Sequence, residues 1–432
     1  MARPSLPVLL PRNFWLPFLL VTSLFALWGF ANDITNPMVA AFKQILLVSH
    51  FESSLVQAAF YGGYCFMAIP AALFIHRLGC KAGILMGLGL YAAGCFLFLP
   101  AGGSMAFGAF LLAYFVMTCG LSFLETTANP YILSMGPAST ATRRLNLAQA
   151  FNPLGSLAGM FVAKDLILSR LHSATEEERR ALQQADPAAF LTLQREDLAV
   201  IVWPYAALGA VVTLVFFLFL AARLPQDQPG PGAPASVRGV LGRLLRNRGY
   251  REGVIAQAFY VGAQICCWTF IIQYGMHEAG LSAASAQSFN ILAMVIFVSS
   301  RFICTFLLRY LSPGGLLSSL ALAAGALTLG TMLAPGLPGL YCLVGISACM
   351  SLMFPTIYGI ALDGLGADSK LASAGLILAI GGGCLLPPLQ GAIMDGPGAL
   401  GLSATRLSFT VVLACFAAIA CFGWRTLRAK PI

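Results

Sequence analysis

The sequence predicts an all-α membrane protein of twelve transmembrane helices in two six-helix halves. Three observations carry that prediction. Of the 432 residues, 59% are hydrophobic and only 9% charged, against about 25% charged in a soluble domain. The apolar residues fall in runs of roughly 20, the length that crosses a bilayer. A single Pro/Gly-rich and then basic stretch, 223–250, divides six such runs from six more. The net charge of +9 does not point to nucleic acid, because the basic residues sit in short loops where they set topology.

The expected spans are 14–38, 53–75, 82–100, 106–134, 145–164, 198–222, 252–274, 285–308, 314–333, 339–361, 371–392 and 406–424. The first apolar run, Phe14 to Ala31, is longer than the roughly 7–15 residues of a signal-peptide core, so it reads as a retained helix. This gives an N-terminal half (1–222), a cytoplasmic linker (223–250) and a C-terminal half (251–432). With the N-terminus inside, Arg12, Arg77, Lys81, Arg143, Arg144 and the linker arginines are cytoplasmic. Most of the outside cations gather around one loop, 165–197, with Lys43 and Arg406 elsewhere outside, so both termini are expected in the cytoplasm. That loop, with Glu176, Glu177, Glu178, Arg179 and Arg180 adjacent, reads as a solvated surface helix. Gly381, Gly382 and Gly383, with Pro387 and Pro388, suggest close packing and a bend in span eleven. The cysteines lie inside apolar runs except Cys80, which falls in a loop, and they show no metal-ligand spacing. No cofactor, metal or enzymatic chemistry is expected. The four histidines fall in loops or at span ends, which argues against a buried histidine relay.

Charge inside a span is expensive, about 2.5–3.5 kcal/mol at a helix centre on insertion scales, and marks an ion path or a polar cavity. Two carboxylates stand out. Asp33, in FANDITNPM, is accompanied by Asn32 and by Asn36 one turn on, with Pro37 able to loosen the helix. A position near the outer interface is the plainer reading of Asp33. Glu125, in LETTANPY, has Asn129 at i+4. Desolvation disfavours its charged form, so it can load and release a proton and, protonated, donate a hydrogen bond. Two polar stripes accompany the acids: Asn146, Gln149 and Asn152 in span five, and Gln257, Tyr260, Gln264 and Trp268 in span seven. Amides offer donor and acceptor together, and an aromatic face packs on the apolar face of a pyranose. Interhelical bonding is the plainer alternative for each stripe. Arg301 in span eight either snorkels or faces a cavity.

FANDITNPM, LETTANPY, RLNLAQAFN, AQAFYVGAQICCW, FPTIYGIALDGLG and the IGGG of span eleven, in this order, resemble the fucose/galactose/glucose:proton symporter family of the major facilitator superfamily. The likeness is to its L-fucose:proton symporter (fucose permease) type and runs from Leu24 to about Asp395. It implies a secondary active transporter that imports a monosaccharide, L-fucose first, by proton symport with alternating access. It makes Glu125 a functional acid in the proton and sugar path. The family's span-one aspartate falls where this chain has Asn36, and an asparagine falls where it has Asp33, so the acid is moved by one turn. The expected proton-coupling residues are therefore Glu125 and Asp33. The expected sugar-binding residues are Asn32, Asn36, Asn129, Asn146, Gln149, Asn152, Gln257, Tyr260, Gln264 and Trp268. Expected partners are the sugar, protons and the lipid of a bacterial-type inner membrane, with a monomeric chain. Glucose, galactose or an amino sugar, sodium coupling, a multidrug exporter of the same fold and a transport-dead sugar receptor stand as alternatives; the amide stripes argue against the exporter.

Overall fold

The computed structural model describes residues 10–11, 14–136, 147–149, 151–222, 237–307, 311–363, 365 and 368–429. Among these the regular structure is all helix, apart from an isolated bridge between Ala399 and Leu402, with short turns and loops between the helices. Among the described residues, eleven helical segments are long and apolar enough to cross a membrane. Numbered to match the expected runs, they are span one Trp15–Leu46, two His50–Ile75, three Arg77–Ser104, four Phe107–Asn129, six Pro187–Ala221, seven Arg248–Ala279, eight Ala283–Arg301, nine Pro313–Leu333, ten Leu337–Leu362, eleven Gly375–Met394 and twelve Ala404–Leu427. Run five begins outside the described residues. Its described helix is Phe151–Val162, closed by a π turn, Ala163–Ile167.

Several boundaries differ from expectation, each for a local reason. Span one continues past 38 to Leu46 as two helices, Trp15–Thr35 and Met38–Leu46, separated by a turn at Asn36–Pro37. Pro37 has no N–H to give and φ fixed at −67°, so the chain loosens there without leaving the helical direction. Spans two and three are joined by a kink at Gly79, where φ is 83° and ψ is 170°, a conformation that costs glycine nothing sterically. Cys80, expected in a loop, is buried beside that kink. Span six starts at Pro187, well before 198: Asp186 Oδ1 accepts from the N–H groups of Ala188 (3.1 Å) and Ala189 (3.0 Å), an Asp cap ahead of a first-turn proline. In span eleven the irregularity sits at the glycines, as a 3₁₀ turn at Ala379–Gly381, while the helix Gly382–Met394 runs through both prolines.

The 165–197 segment does hold a surface helix, Glu176–Ala185, whose capping box pairs Thr175 with Glu178. It is not wholly solvated. Arg179 is 1% exposed and ion-paired with Asp197, which is fully buried. A buried guanidinium requires such a partner, because an unpaired charge out of water is prohibitive.

By internal contacts the described residues form two units. One comprises those of Met1–Ile34, Phe66–Val162 and Ile201–Gly232; the other comprises those of Thr35–Cys65, Ala163–Val200 and Ala233–Ile432. In the first, spans three, four and six meet around Phe98, stacked on Tyr205 at 4.0 Å, with the Tyr114 and Tyr205 hydroxyls 2.8 Å apart. Span one and the run-five helix cross closely: a Cβ at Gly155 would lie 1.9 Å from the Ala26 carbonyl oxygen. In the second, Tyr274 of span seven donates to Thr331 O at 2.9 Å, tying span seven to span nine.

Candidate functional site

Within the first unit, Glu125 stands on the helix Phe107–Ser134. The residue is partly buried, and its Oε2 is sealed from solvent with no hydrogen-bond partner. One turn on, Asn129 Nδ2 donates to the Glu125 carbonyl oxygen at 3.2 Å, and its Oδ1 accepts from Gln149 Nε2 at 3.1 Å. The structure therefore joins two of the expected sugar-binding amides directly beside the acid's own helix turn. Asn152 does something else. Its Nδ2 donates to Phe25 O at 3.3 Å, which spends the donor on the crossing with span one. Asn146 lies outside the described residues. Asp33 is 1% exposed, inside the protein and not on its surface; Asn32, beside it, is partly buried.

Within the second unit, Asn36 is fully buried at the turn after the first helix and accepts from Gln57 Nε2 of span two at 3.0 Å. The span-seven stripe divides by chemistry. Tyr260 donates to Met350 O at 3.0 Å and accepts from Gln264 Nε2 at 2.9 Å. Trp268 Nε1 donates to Ser347 Oγ at 3.1 Å. These two aromatic residues spend their polar groups on span ten, as interhelical bonding would have it. Gln257 is different: fully buried, with neither its amide oxygen nor its amide nitrogen hydrogen-bonded. A primary amide sealed without a partner forfeits about 1–3 kcal/mol, which a polar solute can recover.

Sequence reasoning missed a polar cluster in this unit. Lys43, read from the sequence as an outside cation, is 7% exposed and ion-paired with Glu176. His50, assigned to a span end, is likewise buried, its ring 5.3 Å from that of His277 in an edge-to-face arrangement. Glu278 pairs with Arg406 at 3.2 Å. The signal was present as charged residues close to span ends, but their partners are far apart in sequence. Arg301 is exposed, donates to Ser351 O at 3.2 Å and lies over the Phe297 ring at 4.9 Å. Its guanidinium serves spans eight and ten.

The chain is 52% identical over 421 residues to an L-fucose-proton symporter of Haemophilus influenzae, covering 97% of this chain and 98% of that one. It is 36% identical to an L-fucose-proton symporter of Escherichia coli K12, covering 90% and 89%. A glucose/galactose transporter of Brucella abortus is 31% identical over 95% of this chain and 94% of its own length. Among solved structures, the transporter FucP in the outward conformation matches with a TM-score of 0.71 at 35% identity, over 96% of this chain and 99% of that chain. The Major Facilitator Superfamily profile matches residues 19–386. With run after run of apolar helix, buried amides and an acid inside span four, and with relatives of this length and identity, the chain belongs to the Major Facilitator Superfamily.

Proposed function

We propose that this chain imports L-fucose together with protons as a secondary active transporter working by alternating access. The observation that carries the reading is the Glu125 carboxylate, held inside a transmembrane helix with one oxygen sealed and unpartnered, in a chain 52% identical to an L-fucose-proton symporter. A carboxyl so placed is tolerable when neutral and costly when charged. It accordingly takes a proton from the side at higher proton activity and releases it where water reaches it. In the second unit the bare Gln257 amide lacks what sugar hydroxyls supply; in the first, the exchangeable Asn129–Gln149 bond is a separate candidate. Asp33 is the second candidate acid. An inward proton contributes about 2.3 kcal/mol per 100 mV of membrane potential, enough to concentrate a neutral sugar.

The cation distribution supports an inner-membrane chain with both termini in the cytoplasm; the reading keeps two six-helix halves joined by 223–250 and a monomeric chain. The test is uptake into right-side-out vesicles from a panel of L-fucose, galactose, glucose and amino sugars, with a pH electrode in the medium. L-fucose should alkalinise the medium with or without sodium. Sodium-dependent uptake without alkalinisation would replace the proton by sodium, and sugar binding without uptake would make the chain a receptor. The 31% identity to a glucose/galactose transporter favours a second reading in sugar choice alone, which the same panel resolves.

A further inference from the structure

We propose that the helix Val237–Arg246, which leads into span seven, is a binding site for anionic phospholipid of the cytoplasmic leaflet. An acyl chain lies along Leu241 and Leu245, and the headgroup phosphate meets Arg246 and Arg251. The site depends on the cytoplasmic position proposed above for 223–250, not on which sugar is carried. Between 238 and 251 the sequence carries five arginines and no carboxylate, directly ahead of a transmembrane helix. A basic run so placed is drawn to the negative surface of the cytoplasmic leaflet.

The helix is seated firmly on one side. Val240 and Leu244 are buried and pack with Tyr250, Ala361, Ala372 and Leu376, and Arg243 donates to both oxygens of Asp368. Asn247 makes the corner into span seven: its N–H donates to Arg243 O at 3.0 Å, and its Oδ1 accepts from the Tyr250 N–H at 3.0 Å. The Tyr250 hydroxyl in turn donates to Ala372 O at 2.9 Å. At about 100° per residue, the apolar arc of this helix does not end with its two buried residues. Leu241 and Leu245 each follow a buried neighbour around the helix and continue the arc, yet they are 48% and 56% exposed. The protein covers one half of the apolar arc and leaves the other half bare.

Lipid hydrocarbon covers such an edge where water does not, and a helix of this pattern lies in the headgroup plane with its apolar side toward the acyl chains. Charge chooses the headgroup. Arg243 is taken by Asp368 and Arg248 by Glu252. Arg246 and Arg251 are exposed and pair with no carboxylate among the described residues. A guanidinium takes phosphate oxygens two at a time, while its stem lies along apolar surface. A zwitterionic headgroup sets its own cation beside that phosphate; phosphatidylglycerol does not. Trp424, 55% exposed near the end of span twelve, is the kind of residue that sits at the headgroup level. Arg425, next to it, pairs with Glu252 of span seven at 3.2 Å, so both lie at the end of the unit from which the helix leads.

The test is hydrogen exchange of this helix in the full-length protein, held in nanodiscs of phosphatidylcholine alone or with phosphatidylglycerol. Phosphatidylglycerol should slow exchange across 237–246 about tenfold, equivalent to about 1.4 kcal/mol, and leave the span-nine helix Pro313–Leu333 unchanged. Leu241→Ala with Leu245→Ala should remove that gain, and alanine, the best helix former, keeps the helix itself. Arg246→Gln with Arg251→Gln should remove it too, whereas Arg248→Gln, whose guanidinium Glu252 already holds, should leave it within about twofold. Equal exchange in the two lipids, or a full gain in the leucine variant, overturns the site. So does the same gain from inorganic phosphate in plain phosphatidylcholine, which would make it an anion site without lipid. A cysteine fits at Gly242, where a Cβ meets nothing within 4 Å. Gly242→Cys should react with an impermeant maleimide, read by site with mass spectrometry, in inverted vesicles and not in right-side-out ones. The reverse would overturn the cytoplasmic placing while the lipid preference, read in nanodiscs open on both faces, stood.

Discussion

Asp197 and Glu125 are both carboxylates taken out of water, and the chain treats them oppositely. Asp197 is fully buried and satisfied from three sides: by Arg179 Nη2, by the His172 N–H at 3.0 Å and by His172 Nδ1 at 2.8 Å. Glu125 keeps one sealed oxygen with no partner at all. A buried carboxylate held this closely braces the structure; one left bare has an oxygen that no donor stabilises. The difference separates scaffolding from working chemistry without any reference to position in the membrane. The same division recurs along span seven, where Trp268 is bonded to span ten and Gln257 is bonded to nothing.

The comparison breaks most readily at Glu125. Glu125→Gln, fixed in the neutral form, should abolish proton-driven accumulation, a loss of about 50-fold in the inside-to-outside sugar ratio at 100 mV. Sugar exchange across proteoliposomes should survive, and normal accumulation by the variant would remove Glu125 from the coupling role. Arg179→Ala should do the reverse. It should cost stability, about 3–5 kcal/mol for a buried charge left alone, seen as a lowered unfolding temperature in detergent. Transport per folded molecule should be kept, and the double change Arg179→Met with Asp197→Leu should recover most of the loss. Within span seven, Gln257→Leu should weaken sugar binding about tenfold, or 1.4 kcal/mol, with little change in stability. Trp268→Phe should cost about 1 kcal/mol of stability and leave the binding constant within about twofold. Titration of sugar against intrinsic fluorescence checks the first, and thermal unfolding checks the second.

The smallest effect concerns pH at the basic helix Val237–Arg246. Arg243 donates to both oxygens of Asp368, at 2.8 and 2.7 Å, and holds its carboxyl below the usual carboxylate range. A depressed acid contributes its stabilisation above its unfolded value and loses it as pH falls through the folded one. Protection of this helix against hydrogen exchange, corrected for the intrinsic pH dependence of amide exchange, should therefore be flat from neutral pH downward and should fall only below about pH 4. Arg243→Gln should remove that response.

Much of this was legible in the sequence because it is written in one dimension. Twelve apolar runs, an acid within the fourth and a turn at Pro37 can each be read from a short window. Span six could have been read too: Asp186 followed by Pro187 is a helix start, overlooked because the apolar run begins later. What the sequence could not show is pairing. Arg179 and Asp197 read as two members of a charged loop until the chain folds Arg179 inward. Gln257 and Trp268 share a stripe, and only the placement of span ten decides which of them is occupied. Asn152, assigned to the sugar, has its donor taken by Phe25 O, because glycines bring span one close enough to claim it.

At the start of span two the His50 and Phe51 N–H groups donate to the two carboxylate oxygens of Asp395, both at 2.7 Å, and this cap has a consequence in time. The chain is made from its N-terminus, so the first turn of span two enters the membrane long before Asp395 exists. At synthesis rates of about 5–20 residues per second, the 345 residues between them take roughly 17–70 s. For that interval the His50 and Phe51 amides have only water or headgroups to bond. The first half of the chain must therefore wait, with one helix end unfinished, for nearly the whole of the second.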